Sequence, residues 1–115
     1  MTSSNVRLEL AEEEGVSVLA VGGEVDLESS PRLREMLLGQ LETGKPLLVD
    51  LAAVEYIDSS GIATLVEAYR NAQDRKLQFA LIKVSESVMR VLELARLDQV
   101  FAIHASSREA FDSVR

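Results

Sequence analysis

Asp58, Ser59, Ser60 and Gly61 are the residues of this chain best placed by type and spacing to do chemistry. They stand at the junction of the stretch EYIDSSGIATLVEAYR, between a turn signal and a helical stripe. A serine hydroxyl there could be a nucleophile, a helix cap or a site of modification. As a hydrolase nucleophile it would need a base within reach and an oxyanion hole. The nucleophile-elbow pattern G-x-S-x-G is absent, since Ile57 stands where its first glycine belongs. His104 is the one imidazole of the chain, in a short link after an apolar run, and reads as structural or surface. No cysteine is present, so neither a disulfide framework nor a His/Cys metal site is expected. The expected catalytic, metal and cofactor sets are therefore empty.

Asp50 offers a second possibility. It reads as the end of the strand PLLVDL, and ligands of open α/β sheets sit beyond strand carboxyl ends. With Lys83 it could make a phospho-accepting aspartate site. The acidic pair that would hold Mg²⁺ after the first strand is missing, because the acids of VRLELAEEEG fall in a turn. Asp50 reads instead as a strand polar residue.

Plain capping explains part of Asp58–Gly61. Asp and Ser are good N-cap residues, and glycine lets the chain turn tightly onto the helix. One cap would suffice, however, and three come in succession. A switch uses the same physics. A helix amino terminus has unpaired N–H groups and partial positive charge. A phosphoserine brings about −1.5 to −2 charges at pH 7. A partner docking there would meet a buried charge or like-charge repulsion costing several kcal/mol.

The elements that position this junction follow from periodicity. VRLELA alternates as a half-buried strand, Glu12–Gly15 reads as a turn, and VSVLAVGGEVD as a second strand, giving an antiparallel hairpin. Gly22-Gly23 suggest a bulge or a close backbone approach. The next helix has Ser30 as N-cap, Pro31 first, Leu33, Met36, Leu37 and Leu41 on one face, and Gly44 beyond its end. PLLVDLAAV reads as a strand covered on both faces. After Asp58, the spacing of Ile62, Leu65, Val66, Tyr69 and Ala72 predicts a helix. LQFALIKV is a strand, and Ser85 opens a helix with Val88, Val91, Leu92 and Ala95 on one face. VFAIH is a short edge strand or link, and Ser106–Glu109 is a capping box for a last helix. The fold class is α/β: a mixed, mainly parallel sheet of four to five strands, an N-terminal antiparallel hairpin and about four helices.

The chain has 115 residues and a formal net charge of −7. One domain over 1–115, with a core of about 6–112, is expected, without linker or repeat. The acidic balance argues against nucleic acid, which requires clustered Lys and Arg. No signal peptide and no membrane insertion are expected, and the protein reads as cytoplasmic.

Three blocks together resemble a known family. LLVDLAAVEYIDSSGIATLV resembles the core motif of STAS domains, the module shared by sulphate transporters and bacterial anti-sigma factor antagonists. VGGEVDLESSPRLREML is similar to the family's G-E-x-D strand end and following helix. VSESVMRVLELARLDQVFAIHASSREA is similar to its carboxyl-terminal third. The resemblance runs from about Val6 to Ala110 and implies a STAS fold.

In stand-alone members, a GHKL-type serine kinase that is also the anti-sigma factor phosphorylates the serine after the aspartate. The resemblance implies Ser59 as phosphoacceptor. It implies that the unmodified protein binds the anti-sigma factor, that the phosphorylated form releases it, and that a PP2C-type phosphatase restores it. Asp58, Ser60, Gly61 and Ile62 would border the site, with Asp26 as the strand-end acid beside it and Glu24 a lesser member of the partner surface. This chain has Gly61-Ile62-Ala63 where many members have G-L-G, Thr64 where an aliphatic residue is usual, and Arg75-Lys76 where many have Gly-Gly. These changes leave the identity of the partner open.

A rival reading is a STAS interaction subunit of a larger signalling or lipid-transport complex that is never phosphorylated. Nucleotide binding is a third; no P-loop or dinucleotide fingerprint supports it. The leucines of LREMLLGQL, Leu38 in particular, could support a homodimer.

Overall fold

The computed structural model describes residues 5–114. Residues 1–4, with the first part of the stretch read as lacking a signal peptide, and residue 115 lie outside it. The element order is β1 (Val6–Glu13), β2 (Val16–Val25), α1 (Ser30–Leu41), β3 (Leu47–Ile57), α2 (Ser59–Asp74), β4 (Phe79–Ile82), α3 (Glu86–Leu94), a 3₁₀ turn (Leu97–Gln99), β5 (Ala102–His104) and α4 (Ser107–Val114). The five strands lie in sheet order β1-β2-β3-β4-β5. β1 pairs antiparallel with β2, and the other pairs are parallel. This is the α/β class expected, and VFAIH supplies an edge strand.

The hairpin turns at Glu14-Gly15, with φ of 52° and 80°. Two consecutive positive φ values make the tight two-residue turn whose twist matches the flanking strands. α1, α2 and α3 share one face of the sheet. Leu33, Leu37 and Leu41 of α1, Leu65, Ala68 and Ala72 of α2, and Val88 and Leu92 of α3 close over Leu19, Val21, Val49, Leu51 and Leu81. On the other face, Ala110 and Phe111 of α4 cover Val18, Leu48, Ala80 and Ile82. A strand with Leu47, Leu48 and Val49 in a row therefore meets apolar cover on both sides, as such a run requires.

Several local expectations need correction. Asp50 does not end its strand. β3 continues to Ile57 because it pairs with β2 well beyond the last β3–β4 pair, Asp50 with Ile82. Asp50 instead accepts the Ala52 N–H at 2.9 Å and lies 3.8 Å from the Lys83 ammonium. The helix α1 starts one residue earlier than Ser30 as N-cap implied: Ser29 holds that position, without a side-chain cap bond to the helix. Leu38 is half-buried and packs against the core. Ala95 lies beyond α3 and is exposed.

Other readings hold. Gly22 and Gly23 face two irregularities at which β3 carries the extra residue. A side chain at Gly22 would strike the Arg7 guanidinium, and one at Gly23, where φ is 88°, would run into the Asn5 carbonyl. Lys76 has φ 58°, which accounts for a glycine preference at that position. Ser106 caps α4 by accepting the Glu109 N–H at 3.1 Å. Glu109 reaches back to the Ala105 N–H at 3.0 Å and lies 3.4 Å from the His104 ring, a structural setting for that histidine.

Candidate functional site

Two parallel strands end side by side at one corner of the sheet. Val25 of β2 pairs with Ile57 of β3, and the Asp58 N–H donates to the Val25 carbonyl at 3.1 Å. Each strand then enters a helix, so the Asp26 turn and the Asp58 junction emerge as neighbours.

Asp58 is the N-cap of α2, in extended backbone at φ −109°, ψ −171°. Its Oδ1 accepts the Ser60 N–H at 2.9 Å, the Gly61 N–H at 3.2 Å and the Ser60 hydroxyl at 2.6 Å. The Ser60 hydroxyl, and then the N–H groups of Gly61, Ser60 and Leu27, hold the Asp58 carboxyl below the usual carboxylate range against a partial desolvation cost. The three cap-competent residues thus have three different fates. Asp58 caps. Ser60 braces the cap. Ser59, the first helical residue, is exposed, and its hydroxyl has no hydrogen-bond partner among the described residues. Capping explains Asp58 and Ser60 and leaves Ser59 without an internal task.

The cap carries a prediction. Asp58→Ala is expected to destabilise the fold by about 1 kcal/mol at neutral pH, the usual cost of a lost N-cap. A depressed folded-state pKa stabilises above the unfolded value and loses that contribution as pH falls through the folded one. The gap between wild type and Asp58→Ala should therefore narrow below about pH 4. Urea unfolding at pH 7 and pH 3 measures it, and a constant gap would refute the account.

Gly61 has a role different from the one expected. Its φ is not positive, so no left-handed turn is involved. It is buried, and a Cβ there would lie 2.6 Å from Ile57 Cγ1 and 2.7 Å from Val25 Cγ1. Glycine lets the first turn of α2 press onto the ends of β2 and β3. Ile62 is half-buried, and Ala63 is exposed. Thr64, placed where an aliphatic residue is usual, is buried and satisfied by donating to the Ser60 carbonyl at 2.9 Å.

Asp26 Oδ1 accepts the Glu28 N–H, the Ser29 N–H and the Ser29 hydroxyl, each at 3.1 Å. The single Ser29 hydroxyl proton is shared between that carboxylate and the Glu24 carbonyl, 3.0 Å away, while Ser29 Oγ accepts the Asp26 N–H at 2.9 Å. Glu24 pairs in register with Tyr56, and its carboxylate accepts from Asn5 at 3.3 Å. Sequence reasoning missed Leu27, at the tip of this turn and 76% exposed. Its signal was an apolar residue next to the turn-forming Asp26. Farther along the helices, Arg34 of α1 makes a two-pronged bond to Glu67 of α2 at 2.8 and 2.7 Å, which raises the Arg34 pKa and lowers that of Glu67. Among the described residues no cluster of His, Cys, Asp and Glu could hold a metal ion, and no helix is long and apolar enough to cross a membrane.

A sheet in this order, with a capped serine junction beside an aspartate turn, defines an α/β domain of mixed, mainly parallel sheet. The STAS domain model matches residues 7–110, and the chain belongs to the STAS domain family. Among its relatives, the Anti-sigma-F factor antagonist RsfB of Mycobacterium tuberculosis is 29% identical over 113 residues, covering 96% of this chain and 91% of that one. The Anti-sigma-B factor antagonist of Listeria monocytogenes is 29% identical over 101 residues, covering 86% and 89%. The crystal structure of an anti-sigma factor antagonist from Mycobacterium paratuberculosis superposes with a TM-score of 0.84 at 26% identity, covering 100% of this chain and 99% of that one.

Proposed function

We propose that this chain, acting as a single STAS domain over 1–115, is an anti-sigma factor antagonist toggled at Ser59. Unmodified, it binds an anti-sigma factor that is also a GHKL-type serine kinase. Phosphorylated on Ser59, it lets go, and a PP2C-type phosphatase resets it. The protein is a substrate in this cycle and catalyses nothing. Its partner surface is centred on Ser59, with Asp58, Ser60, Ile62 and the Asp26 turn around it, Glu24 at the margin and Gly61 beneath. The relatives named above support the partner class. The observation that carries the reading is the division of labour at α2: the cap uses Asp58 and Ser60 and leaves the Ser59 hydroxyl exposed and unbonded.

The same geometry gives the switch its physics. The Asp58 carboxylate already accepts the Ser60 and Gly61 N–H groups, so a phosphate on Ser59 finds those donors occupied. It stays at the surface beside a like charge, and the fold need not change. The test is phosphate mapping by mass spectrometry after incubation with ATP and the anti-sigma kinase of the same organism. Phosphate should appear on Ser59 and not on Ser60, and PP2C-type phosphatase should remove it. A Ser59 that stays unmodified while the partner remains stably bound would refute the switch and favour a constitutive STAS subunit.

A further inference from the structure

At this corner the resemblance assigns partner contact to Asp26, yet one oxygen of the Asp26 carboxylate is taken up by its own turn. Its Oδ1 takes three donors from its own turn, and its carbonyl accepts the Ser29 and Ser30 N–H groups at 3.2 and 2.8 Å. Ser29, which closes the turn, is buried. What this framework holds outward is Leu27. The Asp58 N–H donates to the carbonyl of Val25, the residue before this turn, at 3.1 Å, so the turn emerges beside the residue next to Ser59. A large apolar side chain is thus exposed to water on this turn. A turn braced by hydrogen bonds loses little backbone freedom on docking, and burying leucine is favourable.

We infer that Leu27 is the apolar anchor by which the partner recognises this corner, and that Asp26 is a positioning residue that builds the turn. The partner chemistry follows: an apolar pocket on the anti-sigma factor, next to the surface that meets Ser59. This inference rests on the function proposed above. Isolated exposed apolar residues are common and need no role. Leu94 is such a residue, 83% exposed at the end of α3. The helix α3 starts beside β3, where the Ser85 hydroxyl bonds the Val54 carbonyl, and runs back toward the opposite end of the sheet. Leu94 is therefore an internal control.

The experiment is isothermal titration of the full chain with the anti-sigma kinase of the same organism, after melting curves have shown each variant folded. Leu27→Ser is expected to weaken binding by about tenfold or more. Leu94→Ser should stay within about threefold of wild type, and Asp26→Asn, which keeps an oxygen acceptor for the turn, should bind more tightly than Leu27→Ser. Three results would overturn the anchor alone, provided that Ser59→Asp still abolishes binding. They are Leu27→Ser within about threefold of wild type, Asp26→Asn weaker than Leu27→Ser, and Leu94→Ser as weak as Leu27→Ser. A wild-type chain that fails to bind would overturn the anchor and the proposed function together.

Discussion

Ser59→Asp is expected to weaken binding of the anti-sigma factor by about a hundredfold or more, equivalent to about 2.7 kcal/mol, while the melting temperature moves by no more than about 2 °C. The small effect on the fold follows from exposure. Ser59 makes no side-chain hydrogen bond among the described residues, so nothing is lost when it is replaced. The large effect on binding follows from its neighbour. The Asp58 carboxyl is held below the usual carboxylate range, chiefly by the Ser60 hydroxyl, and stays ionised at neutral pH. A second carboxylate at the next residue doubles the charge that a docking surface must cover. Desolvating an unpaired charge in an interface costs several kcal/mol. Ser59→Ala should bind like wild type and resist the kinase. Titrations of the three proteins against one partner decide the matter, and equal affinities for Ser59→Asp and wild type would sink it.

Gly61→Ala should destabilise the protein by about 2 kcal/mol, lowering the melting temperature by roughly 8 °C. In an ordinary helix this change would stabilise by up to about 1 kcal/mol, because alanine restricts the unfolded chain and favours the helix. Here the new methyl meets Val25 Cγ1 at 2.7 Å and Ile57 Cγ1 at 2.6 Å. Both partners are buried, 0% and 4% exposed, and β-branched side chains have few rotamers to retreat into. Relief must come from α2 lifting off the sheet, which strains the Asp58 N–H bond to the Val25 carbonyl. Thermal unfolding measures the outcome. A melting temperature at or above that of wild type would mean that the strand ends yield easily, and that close packing is not what the glycine serves.

The features that were legible in the sequence are those set by local chemistry. The acidic run Glu12–Gly15 announced the hairpin turn, although pairing with Ser17 and Val16 draws Glu12 and Glu13 into β1 and leaves the turn to Glu14-Gly15; the Leu33/Leu37/Leu41 spacing announced α1, and Asp58 announced the start of α2. What escaped depends on contacts far apart in the chain. The length of β3 is set by β2, which pairs with it to Ile57, and no pattern within LAAVEYI states that. Leu38 looked exposed from its place on the helix, but the packing of α1 on the core half-buries it. At the site, the motif named Ser59 and its neighbours, while their separate tasks depend on hydrogen-bond geometry. Gly61 looked like a turn residue and proves to be a spacing residue. Asp26 reads as a strand-end acid in one dimension; only the folded turn reveals that its Oδ1 serves its own backbone and that Leu27 is exposed.

The sequential strand order has a consequence for how the protein is made. Every strand pairs with strands adjacent to it in the chain, from β1 through β5. A ribosome delivers the chain amino terminus first, so each new strand meets an edge that is already formed. The hairpin β1–β2 supplies the first template. No strand has to be inserted between two that are already paired, and the sheet can grow in one direction as synthesis proceeds. The helix α4, which follows β5 in the chain, covers Leu48, Ala80 and Ile82 only after the sheet beneath it is complete. Until then that apolar strip is open to water, which makes loss of α4 a route to aggregation.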